Sequence, residues 1–109
     1  MVLNFDCIEE SVIPNFYGGQ NSTAARMFAD PFNRIMRGRL SPGASIGEHL
    51  HENGSEIVFV LQGNGKALVD GIAEELRLGE CHYCPKGHSH SIINDGEEDL
   101  VFFAVVPRQ

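Results

Sequence analysis

The stretch from Gly43 to Gly63, GASIGEHLHENGSEIVFVLQG, reads as two β-strands flanking a polar connection, and its reading decides the fold. Side chains of a strand alternate between faces, so His49 and His51 point the same way while Leu50 points the other. Glu52-Asn53-Gly54-Ser55 is a hairpin connection by composition. Glu56 then opens the apolar run Ile57 to Leu61, which returns a carboxylate to the two imidazoles. A second stretch, Gly79 to Asn94 (GECHYCPKGHSHSIIN), supplies a fourth group. Pro85-Lys86-Gly87 marks a tight turn, and His90 on the strand after it closes the set from a point distant in sequence. His49, His51, Glu56 and His90 make a mixed nitrogen and oxygen donor set suited to one divalent first-row transition ion. Burying three histidines and a glutamate is costly unless something pairs them, and a divalent cation does so.

Both stretches resemble the two sequence motifs of the cupin superfamily. Gly43, His49, His51, Glu56 and Gly63 match every position of the first motif, and Gly79, Pro85, Gly87, His90 and Asn94 every position of the second. The fifteen residues Asn64 to Leu78 between them are the short spacing of small bacterial members. The resemblance implies an all-β fold, the cupin double-stranded β-helix or jelly-roll barrel. It also implies that His49, His51, Glu56 and His90 hold one divalent transition metal ion: Fe, Mn, Ni or Zn. Four protein ligands on an octahedral ion leave two positions for water, dioxygen or a bidentate substrate. The implied function is a small-molecule metalloenzyme of dioxygenase, isomerase, lyase or decarboxylase type. The alternative is a metal-containing binding protein for a sugar or an organic acid. So many chemistries share the fold that it does not choose between them, and no residue beyond the ligands stands out as a general base.

Elsewhere the chain is a series of short β runs punctuated by turns. Asn33 to Leu40 precedes the turn Ser41-Pro42-Gly43, and Lys66-Ala67-Leu68-Val69 precedes Asp70-Gly71, a strong hairpin signal. Glu74 to Leu78, Cys81 to Cys84 and Asp99 to Val106 continue the series, as a double-sheet jelly roll requires. Ser22 to Ala29 reads as one possible helical turn, capped by Ser22 or Asn21, with strand or loop as alternatives. A single domain is expected, with residues 1–32 as an N-terminal segment and 33–109 as the barrel core. Val2 to Phe5 and Ser11 to Phe16 are apolar and strand-like with no evident partner in the barrel. Pairing with a second subunit would cover them, so a homodimer is expected; the alternative is that the segment folds back along its own barrel edge.

Charge and cysteine usage narrow the partners. Eight basic against fifteen acidic residues give a net charge of −7, which disfavours nucleic acid or an anionic membrane as partner. The start lacks a basic region and an apolar run, and no stretch reaches transmembrane length, so a cytoplasmic location is expected. Cys7, Cys81 and Cys84 are too few for a disulfide scaffold. Cys81 and Cys84, three apart, face opposite sides of a strand and make a poor redox pair. Around the ligands, Arg34 shares strand parity with Met36 and Leu40 and would grip a carboxylate or sugar hydroxyl if that face lines the cavity; otherwise it is a solvated arginine. His88 reads as a rim histidine, His82 as packed or solvated, and Asn94 as a turn former. Glu80 belongs to the same neighbourhood.

Overall fold

In the computed structural model, which describes residues 1–109, ten strands form two antiparallel sheets. The six-stranded sheet has the order β1 (Ser11–Pro14), β2 (Ser22–Ala29), β3 (Asn33–Leu40), β10 (Leu100–Pro107), β5 (Glu56–Gln62) and β8 (Cys81–Cys84). The four-stranded sheet has the order β4 (Ser45–Leu50), β9 (Ser89–Ile93), β6 (Gly65–Val69) and β7 (Ile72–Leu76). This is the all-β jelly-roll barrel expected from the sequence. Two short 3₁₀ turns, Phe5–Cys7 and Phe16–Gly18, lie in the N-terminal segment.

Period-two burial builds the core. Met36 and Leu40 of β3, Val58 and Val60 of β5, and Leu100, Phe102 and Ala104 of β10 turn inward. They meet Ile46, Ala67, Leu76 and Ile92 of the facing sheet. Each large side chain so buried contributes about 1.5–3 kcal/mol. This core fills one part of the barrel and leaves the polar cluster to the rest.

Three expectations are corrected by the topology. Ser22–Ala29 is β2, paired with β1 on one side and β3 on the other, so neither Ser22 nor Asn21 caps a helix. Its Thr23-Ala24-Ala25 run is buried against the barrel, and cross-strand pairing outweighs the helix preference of alanine. The N-terminal segment does have a partner within the barrel: β1 pairs β2, and Phe5 is buried edge-on against Phe103 at 5.0 Å. The connection 52–55 is not a hairpin, because β4 pairs with β9 whereas β5 pairs with β10 and β8. It crosses from one sheet to the other, tied by a bridge between Gly54 and Arg108.

Candidate metal centre

That crossing brings Glu56 to the histidines. β4 carries His49, His51 follows just past its end, and β9 sets His90 directly opposite His49. Glu56 opens β5 in the facing sheet. The Nε2 atom of His90 lies 3.0 Å from His51 Nε2, 3.1 Å from His49 Nε2 and 3.0 Å from Glu56 Oε1. Glu56 Oε1 is also 3.0 Å from His51 Nε2 and 3.7 Å from His49 Nε2. All four ligand atoms fall within 4.8 Å of one another. Donors about 2.1 Å from an ion and at right angles to each other lie about 3.0 Å apart, so the spacing suits adjacent positions around one first-row ion. The residues present therefore fit a divalent metal, and the structure brings together every residue that the sequence nominated for it.

The local electrostatics favour the deprotonated forms that bind metal. Burial pushes the His90 imidazole below its ordinary value of 6.5, outweighing the pull of the Glu56 carboxylate. Burial opposes ionisation of Glu56 too, but the imidazoles of His49, His51 and His90 together hold its carboxyl well below the ordinary 4.5. His49 Nδ1 lies 2.8 Å from the Gly47 carbonyl, an acceptor only, so Nδ1–H donates there and Nε2 keeps its lone pair. Cys84 is buried, with Cys81 exposed on the other face of β8. Burial, with the charges of Glu56 and Asp70, pushes the Cys84 thiol up to about 11.

A cavity of about 370 Å³, open to solvent, adjoins His49 and His51, at the small end of the range for small-molecule sites. Arg34 lines it, as strand parity allowed, and so do Arg108, Glu52 and Tyr17. Arg26, Arg37, Arg39 and Arg77 are ion-paired, whereas Arg34 and Arg108 have no carboxylate partner. Tyr17 stacks on His49 with ring centroids 4.1 Å apart and planes 14° from parallel. Its loop sits hard against β4, because a Cβ added at Gly47 would lie 2.0 Å from the Tyr17 carbonyl oxygen. Tyr17 itself adopts φ +51°, a left-handed conformation uncommon outside glycine.

The remaining nominated residues divide between structural and peripheral places. Asn94 is fully buried and donates to the Leu40 and Glu98 carbonyls while accepting from Gly96 N–H, which makes it a turn former. His88 does not reach the rim of the cavity: its Nδ1 pairs with Asp70 at 2.5 Å. Glu80 accepts from Arg77 N–H in an exposed turn. His82 is buried, with Nε2 2.9 Å from His90 Nδ1 and Nδ1 2.5 Å from Glu74 Oε1. Its place was readable in principle, since His82 shares strand parity with the inward Cys84. Tyr17 and Arg108 left no comparable signal.

The family model described as "Cupin domain" matches residues 36–106, which include all four clustered residues. The chain belongs to the cupin domain family. An oxalate-binding protein of Thermotoga maritima is 39% identical over 82 residues, which span 75% of this cupin and 62% of that relative. The crystal structure of a predicted oxalate decarboxylase from Thermotoga maritima matches with a TM-score of 0.93 and 31% identity, covering 100% of both chains. A polyketide cyclase from Streptomyces resistomycificus matches with a TM-score of 0.81 at 21% identity, covering 100% of this cupin and 80% of that chain, and shares the fold. No helix of this cupin is long and apolar enough to cross a membrane.

Proposed function

We propose that this cupin binds a small dicarboxylate of the oxalate type at one divalent ion, Fe, Mn, Ni or Zn, held by His49, His51, Glu56 and His90. The observation that carries the reading is the pair of arginines without carboxylate partners, Arg34 and Arg108, in the cavity beside two of the ligands. In a chain of net charge −7, four of the six arginines pair with its own acids, and the two left without such a partner at one small cavity favour an anionic guest. The names of the Thermotoga maritima matches support the same class of ligand. A bound ion would supply a Lewis-acidic point for carboxylate oxygens. Arg34 and Arg108 would orient the far carboxylate, while Tyr17 covers one wall. Turnover is the second reading. It is favoured by Glu52 and Tyr17, which put groups able to exchange protons on the cavity wall.

Calorimetric titration of oxalate into the protein loaded with each metal tests the proposal. Oxalate should bind only with metal present, and Arg34→Gln should weaken it roughly 10- to 100-fold, the loss expected of a charge-assisted contact, while leaving metal content unchanged. Equal binding by metal-free and loaded protein, or none by either, would refute it. Assay of loaded protein for oxalate consumption separates binding from turnover.

A further inference from the structure

His82 is the one buried histidine outside the cluster, and it bridges a ligand to the surface. Glu74 of β7 is half exposed and its carboxylate only accepts, so at 2.5 Å it accepts the hydrogen bond that His82 Nδ1–H donates. A neutral His82 then offers a lone pair at Nε2, 2.9 Å from His90 Nδ1. The proton of that contact belongs to His90 Nδ1, which leaves His90 Nε2 bare where it faces His49, His51 and Glu56. The two ring planes lie 13° from parallel, and their 5.1 Å centroid separation is about that of two imidazoles joined edge to edge through a 2.9 Å nitrogen contact. We infer that His82, itself oriented by Glu74, is a positioning residue that fixes the tautomer and rotation of His90 and so presents its Nε2 lone pair to the ion.

The inference rests on the metal reading above for its purpose, but its geometry stands without it. A carbonyl holds His49 from behind, whereas His90 is held by a side-chain pair that ends in solvent. Outer partners of this sort orient a ligand and raise its basicity, and their loss costs about 10- to 100-fold in metal affinity.

Two-bond proton–nitrogen NMR of histidine-labelled, metal-free protein reads the tautomers directly. Both His90 and His82 should carry the proton on Nδ1. Glu74→Ala removes only a surface carboxylate; it should shift His82 toward the Nε2–H form and weaken Zn²⁺ binding, measured against a competing chelator dye, by about tenfold. His82→Phe should weaken Zn²⁺ further, and His82→Gln, which retains an acceptor for His90, should recover part of the loss. A His90 proton on Nε2 in the parent protein overturns the inference, as does unchanged Zn²⁺ affinity in both Glu74→Ala and His82→Phe. Should the parent protein bind no Zn²⁺, the metal reading fails, and the tautomers in parent and Glu74→Ala still decide whether His82 fixes His90.

Discussion

His51 and His90 bring their Nε2 atoms within 3.0 Å of each other, yet the two sides of the cluster they represent are built differently. His90 is fully buried on a central strand of its sheet, backed by His82 and Glu74. His49 and His51 come from an edge strand and its exit, and they line the solvent-open cavity. The braced side is enclosed by its own side-chain partners; the open side adjoins the arginines and the tyrosine. A site that must hold an ion and also admit a guest can assign the two tasks to opposite flanks, and this division is what the contrast teaches.

The strongest way to test the division is to remove what joins the flanks. At about a thousandfold excess over its dissociation constant the ion should stabilise the fold by about 4 kcal/mol, lost on chelation and visible as a shift of the urea midpoint. Equal midpoints with and without metal would mean that no ion bridges them. Next come the flanks themselves in metal-free protein. His90→Ala leaves the buried Nε2 of His82 without its donor and opens a space beside Glu56, and should cost about 2–4 kcal/mol by urea denaturation, against about 1 kcal/mol or less for His51→Ala. Comparable losses would erase the distinction between braced and open sides.

A smaller effect tests the wall of the open side. Gly47→Ala places a methyl group against the Tyr17 carbonyl, and the repacking should cost about 1–3 kcal/mol in thermal melts. Metal content should be retained, because the braced side is untouched; loss of metal would show that the Tyr17 loop is part of the cluster's support. The smallest effect is pH. Folding lowers the pKa of His90, so the unfolded chain takes up that proton first, and metal-free stability should begin to fall as pH drops below 6.5. Glu56, also lowered by folding, adds a further loss as pH falls below 4.5. A melting temperature that stayed flat from pH 8 to pH 4 would contradict both shifts.

How much of this was legible in the sequence depended on whether the rule involved was local. Strand parity and fixed spacing are local, and they found the four clustered residues and allowed Arg34. The 52–55 connection was misread because polar residues and a glycine suit a hairpin and a crossing between sheets equally well; only the hydrogen-bond partners of β4 and β5 tell them apart. Ser22–Ala29 was ambiguous because alanines fit a helix or a crowded strand, and the neighbours on both sides decided it. Tyr17 reaches His49 through a backbone contact between its loop and Gly47 of β4, and Arg108 reaches the cavity through a bridge to Gly54. Neither follows from composition or period.

The position of β10 between β3 and β5 has a consequence for how the molecule is made. Until Leu100–Pro107 is available, β3 and β5 each present an open edge, that of β5 rich in Ile, Val and Phe and that of β3 carrying Ile35, Met36 and Leu40 among arginines, and Phe102 is missing from the core they are meant to share. Unpaired apolar edges are templates for pairing with other chains. The six-stranded sheet therefore cannot close before β10 is in place, however early the strands that carry the four clustered residues appear. A pause in translation after β5 would lengthen the time for which these edges stay open, so the yield of soluble protein should depend on the speed with which the ribosome delivers this one strand.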